Sequence, residues 1–251
     1  MAAYAFGAAR VFVDEDLAPG VTIETNDDRA HYLGNVLRLK SGDGVLVFNG
    51  RDGEWRARLA ETGKRRVRLV IETRERAQTV APQIDYCFAP LKHARLDYMA
   101  QKAVEMGATR LRPVRTRRTH VARVNLERLR ANAIEAAEQC GVLVAPTVEP
   151  EMALERMVAQ FDDRPLIFCD EDAPMTDPLA VLAAARPAPA FGVLVGPEGG
   201  FDDQERALLL AVPRVVRLSL GPRILRADTA AVAILALAQA VLTDNAGVFD
   251  R

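Results

Sequence analysis

Ala190-Phe-Gly-Val-Leu-Val195 followed by Gly196-Pro197-Glu198-Gly199-Gly200 is the stretch whose reading decides the fold. The apolar run has the length and content of a strand buried on both faces. The glycines and proline end it, and glycine lets main-chain amides come close to a ligand. Asp202, with Glu205 three residues on, carries the start signature of a helix. Beyond Pro213, Val215-Val-Arg-Leu-Ser-Leu220 predicts another strand. It runs into Gly221-Pro222-Arg223-Ile224-Leu225-Arg226-Ala227-Asp228, with a helix opening at Thr229. Two strand-to-helix turns at one edge of a parallel sheet form the crevice where α/β proteins bind ligands. The helix over 229–242 has no charged residue, so it must be covered on every side. It is too short to span a bilayer. It is therefore a central helix or, as the preferred reading, a dimer contact.

Upstream, the pattern alternates. Strands are expected at 83–88, 109–115 and 165–169, with a short one between Pro146 and Pro150. Helices are expected at 96–106 (closed by Gly107), at 125–139 and at 152–160. Leu126, Leu129, Ala133 and Ala137 mark the buried face of the middle one. Such alternation predicts an α/β fold with a parallel sheet covered on both sides. Residues 1–75 read differently, as short strands at 11–13, 21–23, 44–48, 54–59 and 67–71. A helix over 29–39 interrupts them, with Leu33, Val36 and Leu37 on one face. Asn49-Gly50 and Asp52-Gly53 mark a tight hairpin. These features predict a small β-barrel over 1–75, a linker at 76–82 and a second domain over 83–251.

Composition narrows the chemistry. Cys87, Cys140 and Cys169 are few and far apart, which favours reduced thiols in a cytoplasm. The first ten residues lack the basic flank and long apolar run of a signal peptide. With no Cys-x-x-Cys pair and three scattered histidines, no metal site is expected. A net charge of −1 conceals segregation: residues 92–130 hold eleven Lys/Arg against three acids, and 131–180 hold eleven acids against two arginines. Either a polyanion such as nucleic acid is the partner, or the two segments neutralise each other in the fold. Candidate RNA contacts are Arg38, Lys40, Lys64, Arg65 and Arg66 on the barrel, with Lys92, Lys102, Arg115, Arg117 and Arg118 beyond it.

The glycine turn is either structural or an anion cradle at a helix start. It matches neither the P-loop nor the dinucleotide fingerprint. Arg223 and Arg226 suit an anionic substrate or a developing negative charge. Asp228 is either the N-cap of the last helix or part of the chemistry.

Leu194-Val-Gly-Pro-Glu-Gly-Gly-Phe201, together with Leu218-Ser-Leu-Gly-Pro-Arg-Ile-Leu-Arg-Ala-Asp-Thr-Ala230, resembles the signature of the SPOUT methyltransferases. The chain is most similar to the bacterial enzymes of that group that methylate uridine N3 in 16S ribosomal RNA. His31-Tyr-Leu-Gly-Asn-Val-Leu-Arg-Leu-Lys40, Gln101-Lys-Ala-Val-Glu-Met-Gly107 and Glu135-Ala-Ala-Glu-Gln-Cys-Gly141 extend the likeness along nearly the whole chain. It departs at Val142, where the family has arginine, and at Asp228, where it has Glu. The resemblance implies a trefoil-knotted C-terminal domain, a PUA-like RNA-binding barrel and a homodimer joined through the last helix and the knot. It implies S-adenosylmethionine held by Gly196, Glu198, Gly199, Gly200, Leu218, Leu220, Gly221, Ile224 and Leu225. Arg226, Arg223 and Asp228 would carry the catalysis, and RNA of the small ribosomal subunit would be the substrate. A SPOUT ribose 2′-O or tRNA methyltransferase, or an RNA-binding assembly factor without activity, are the competing readings.

Overall fold

The computed structural model describes residues 8–25, 27–62, 66–161, 163–175, 177–186 and 188–243. Lys64 and Arg65 lie outside them. The chain divides into two compact units, residues 1–80 with 137–145, and residues 81–136 with 146–251.

The first unit is a five-stranded sheet. Its strands are β1 (Arg10–Phe12), β2 (Thr22–Glu24), β3 (Gly44–Phe48), β4 (Glu54–Thr62) and β5 (Val67–Arg76), in the order β1-β3-β4-β5-β2. All the strand-like runs of the sequence are present. Period-two alternation sends Trp55, Ala57 and Leu59 of β4 into the core with Val45, Val47, Leu69 and Ile71. Between them Arg56 and Arg58 point outward and pair with Glu75 and Glu72 at 2.8 and 2.9 Å. Gly50 and Gly53 turn the hairpin at φ of +82° and +86°.

The helix of this unit differs from expectation. α1 (Asp27–His31) passes into a π-helical turn over Tyr32–Val36, closed by the Leu37 N–H on the Tyr32 carbonyl at 2.9 Å. The wider turn takes Val36 off the buried face. Leu33 is fully enclosed, whereas Val36 is 58% exposed. Arg38 follows in the left-handed region at φ +56°.

At one end of the sheet Glu54, fully buried, holds Arg10 at 2.6 Å and Arg76 at 2.8 Å. Those guanidiniums donate onward, Arg10 to the carbonyls of Ala137, Glu138 and Val142, and Arg76 to that of Gly141. Cations here satisfy carbonyls that a helix end leaves open. Val142 thus takes part through its backbone, whatever its side chain.

The second unit is built on a parallel sheet. Its strands are β6 (Gln83–Phe88), β7 (Arg110–Arg115), β8 (Thr147–Val148), β9 (Met152–Ala153), β10 (Leu166–Cys169), β11 (Ala190–Val195) and β12 (Val215–Leu218). The order is β12-β10-β11-β6-β7-β8, with β9 also on β7. The chain enters in the middle at β6, builds outward through β7 and β8, then returns to fill the other side. The order reverses between β6 and β11, which places the ligand crevice outside their carboxyl ends. The helices are α2 (His93–Glu105), α3 (Leu126–Gln139), α4 (Leu154–Val158), α5 (Pro178–Ala183), α6 (Asp203–Leu210) and α7 (Ala227–Leu242). On one face Cys87, Leu166, Phe168 and Leu194 pack with Leu154, Met157 and Leu209 from α4 and α6. α2 and α7 pack together, and α7 lies against β11.

Several boundaries need correcting. Met152 and Ala153 pair with β7 as a strand before α4 begins, so that helix is shorter than expected. α5 was not expected at all, although Asp177 caps it by accepting the Leu179 N–H at 2.9 Å. α7 opens at Ala227, not Thr229, and its N-cap is Arg226. Asp228 is therefore not the cap. It lies inside the first turn, its Oδ1 accepting the Thr229 N–H at 3.0 Å.

Candidate active site

Loops leave the carboxyl ends of the parallel strands, and two of them are the turns singled out in the sequence. In the turn after β11, Gly200 donates its N–H to the Pro197 carbonyl at 2.9 Å and sits at φ +68°. A Cβ on Gly196 would run into the Phe201 ring, and one on Gly200 into the Glu171 carboxylate. α6 then starts with the expected reciprocal cap. Glu205 donates its N–H to Asp202 at 2.8 Å, and Asp202 returns its N–H to Glu205 at 3.1 Å. The neighbouring amide and Arg117 hold the Asp202 carboxyl below the usual range, with the Glu205 N–H the largest cause.

Arg117 and Arg118 come from the loop after β7 and close over this turn. The Arg117 N–H donates to buried Glu205 at 2.7 Å and its guanidinium to Asp202 at 2.8 Å. Arg118 donates to the Gly199 carbonyl at 2.6 Å, and its stem lies where a Cβ on Gly199 would make contact at 3.4 Å. From the first turn of α2, Arg95 reaches Glu198 at 2.9 Å and Asp228 at 4.0 Å. Arg95 thereby joins the glycine turn to the start of α7. The sequence reading missed it, because its partners lie far along the chain. Its one signal was a cation at a helix start just after a strand's carboxyl end.

In the turn after β12, Gly221 adopts φ +107° with nothing within 4 Å of a Cβ position. The Leu218 carbonyl is already used by the Asp170 N–H at 3.0 Å, and Leu218 is buried. Leu220 and Leu225 are half-buried, whereas Ile224 is 92% exposed. Arg223 and Arg226 are exposed, and among the described residues neither has an ion pair. Two exposed guanidiniums in one turn suit a ligand that carries or develops negative charge.

The basic segment is partly spent on local pairing. Arg128 pairs with Asp97, Arg115 with Glu151, Lys102 with Glu105, and Arg112 with buried Asp85. Arg115 also donates to the carbonyls of Val121 and Ala122, which fits loop support. Arg66 pairs with Glu24 at 2.9 Å. Arg38, Lys40 and Lys92 are exposed, as is Arg118. Among the described residues no group of three His, Cys, Asp or Glu side chains could hold a metal ion.

Residues 79–239 match the family profile described as an RNA methyltransferase domain, and residues 25–72 match the PUA domain of RNA methyltransferases. The chain belongs to this family of RNA methyltransferases. The "Ribosomal RNA small subunit methyltransferase E" of Rickettsia conorii is 30% identical to this methyltransferase, over 90% of this chain and 93% of the relative. Among solved structures, a protein from Legionella pneumophila described as a methyltransferase, with bound SAM, superposes with a TM-score of 0.83. It is 26% identical, over 94% of this chain and 99% of its own. The Ribosomal RNA small subunit methyltransferase E from Neisseria gonorrhoeae, bound to S-adenosyl methionine, gives 0.81 at 28% identity. Those alignments cover 94% of this chain and 98% of the neisserial one. The resemblance noted in the sequence is thus matched at the level of family.

Proposed function

We propose that this methyltransferase moves a methyl group from S-adenosylmethionine to N3 of a uridine in the 16S RNA of the small ribosomal subunit. The observation that carries the reading is the pair Arg223 and Arg226, exposed in the turn after β12 and without an ion pair among the described residues. The residues present fit the cofactor. Gly196 and Gly200 occupy positions where a side chain would collide, and Gly221 keeps a left-handed turn with open space. The main chain of Gly196, Gly199, Gly200, Leu220, Gly221, Ile224 and Leu225 would hold it, with Leu218 packed beside them and Glu198 at the rim. When bound, the cofactor supplies an electrophilic methyl group on a sulfonium.

The chain's own residues must deal with the uracil. Its N3 carries a proton that has to leave before the ring nitrogen can form a bond to carbon, and negative charge then spreads onto the ring oxygens. Arg226 stabilises that charge, with Arg223 beside it. A pre-placed donor of this kind contributes about 3–4 kcal/mol to the barrier. Asp228, 4.0 Å from Arg95, and Glu198, 2.9 Å from it, are the two candidates to take the proton. Residues 1–75, joined by 76–82 to the catalytic part 83–251, hold RNA through Arg38, Lys40 and Arg66; Lys92 and Arg118 are the RNA contacts of the catalytic part. An RNA of the small ribosomal subunit places the enzyme in the cytoplasm.

Two copies pair through α7 and the knotted turns. Thr229, Ala236 and Ala240 form an exposed stripe on α7, flanked by half-buried Val232, Ala233 and Leu237. A second copy of this chain would supply the cover that an uncharged helix needs. Arg226→Ala tests the assignment of roles. Turnover on small-subunit RNA should fall about 100-fold or more while cofactor affinity stays within twofold. Equal losses in both would move Arg226 to cofactor binding.

A further inference from the structure

The loop after β10 leaves the sheet between the two turns, because β10 lies between β11 and β12. Cys169, which ends β10, pairs with Val195 just before the glycine turn and with Leu218 just before the second turn. Three acids follow it. Asp170 is buried; it takes Arg217 at 2.7 Å and Arg206 at 3.1 Å, and donates its N–H to the Leu218 carbonyl at 3.0 Å. Asp172 takes Arg206 at 2.7 Å. Glu171, between them, has no hydrogen bond and no ion pair among the described residues. Arg206 lies in the field of all three acids but bonds only the other two. Glu171 is exposed, and its carboxylate stands against Gly200 of the glycine turn. A Cβ on Gly200 would collide with its Oε1 and lie 3.2 Å from its Cδ. The two guanidiniums are therefore spent on its neighbours, and one negative charge that solvent can reach is left lying on the glycine turn.

We propose that the Glu171 carboxylate receives the α-ammonium group of S-adenosylmethionine. The inference rests on the assignment of the two turns to the cofactor, and it adds a side chain from a third loop. An ionised carboxylate only accepts hydrogen bonds, so its partner must be a donor, and the ammonium offers three N–H groups with a full positive charge. The sulfonium offers none. A carboxylate pressed on the sulfonium would also favour the charge that methyl transfer removes, holding the ground state more tightly than the transition state and slowing the reaction. Ribose hydroxyls are donors but neutral. Once the cofactor covered Glu171, they would leave its charge unbalanced and short of water. Held by its ammonium, the cofactor is anchored through a group that the reaction leaves unchanged.

Glu171→Gln tests this, because the amide keeps the shape of the side chain and loses its charge. The full-length protein is titrated calorimetrically with S-adenosylmethionine, with S-adenosylhomocysteine and with 5′-methylthioadenosine, which lacks the amino-acid end. An exposed side chain without partners contributes little to the fold, so the free variant should melt within about 1 °C of the parent. S-adenosylmethionine and S-adenosylhomocysteine should each bind about fivefold more weakly, and 5′-methylthioadenosine as before. An equal loss for 5′-methylthioadenosine would overturn the proposal and move the contact to the adenosine half. A loss for S-adenosylmethionine alone would overturn it in favour of the sulfonium. Unchanged binding of all three would overturn it as well, leaving Glu171 a solvated surface charge. Absence of S-adenosylmethionine binding by the unaltered protein would instead overturn the cofactor assignment of the two turns, and this inference with it.

Discussion

Gly196→Ala is the sharpest perturbation of the glycine turn, because its outcome follows from one collision. The added Cβ would meet the edge of the Phe201 ring, Cε2 most severely, with Cζ at 2.9 Å and Cδ2 at 3.1 Å. Carbon atoms pack at about 3.5–4.0 Å, so the ring must retreat by roughly 1 Å. It has little room to do so. Phe201 is 2% exposed, meets Phe168 edge-on at 5.1 Å, and packs in one cluster with Leu194, Leu209 and Val212. Overpacking of this kind costs about 1–3 kcal/mol. For a chain of this size that lowers the melting temperature by about 2–4 °C per kcal/mol, so a fall of about 4–8 °C is expected at the midpoint. Phe201→Leu alone also destabilises, by losing buried ring area. In the double variant the collision is gone, so the two effects should sum to less than their separate values, with a coupling of about 1 kcal/mol or more. Gly199→Ala serves as the control, because its Cβ would meet only the Arg118 stem at 3.4–3.5 Å. The assay is thermal melting followed by circular dichroism for the parent and the four variants. Gly196→Ala melting within 1 °C of the parent, or strictly additive effects in the cycle, would show that the Phe201 ring gives way without cost.

Other outcomes follow from the same structure. Glu54→Gln strips the charge from a buried carboxylate held by Arg10 and Arg76. It should cost about 3 kcal/mol in urea denaturation. Alkylation at pH 8 should label Cys140, which is exposed, and spare Cys87, which is buried, as read by mass spectrometry of peptides. Burial pushes the Cys87 thiol up to about 12, leaving roughly one part in ten thousand as thiolate at that pH. Asp202 has a lowered folded-state pKa, so it stabilises above the ordinary carboxylate range and ceases to do so as pH falls through its folded value. The melting gap between the parent and Asp202→Ala should therefore be present at pH 7 and close in acid.

Much of the fold was legible in the sequence because its signals are local. The glycine turn, the Asp202–Glu205 cap and the apolar runs of β10 and β11 each declare themselves within a few residues. What was not legible depends on residues far apart or on small changes of pitch. The π turn at Tyr32–Val36 uses residues that an ordinary helix would also accept, and only the exposed Val36 reveals it. α5 is six residues long, too short for a helical period to show, although Asp177-Pro178 marked its start. In the site, Arg223 and Arg226 were visible as two cations in one loop. Arg95 was not, since its partners Glu198 and Asp228 lie more than 100 residues on and meet it only through the sheet order. Asp228 was misplaced by two positions because an N-cap arginine gives no sequence signal for a helix start.

The proposed methylation of uridine N3 in small-subunit ribosomal RNA can be measured directly. Purified protein, small ribosomal subunits lacking the modification and S-adenosylmethionine with an isotopic methyl group provide the direct measurement. The RNA is then digested to nucleosides and resolved by mass spectrometry. Label is expected in 3-methyluridine, and is lost with Arg226→Ala. Label in a 2′-O-methylated nucleoside, or none in the RNA while the cofactor binds, would contradict it.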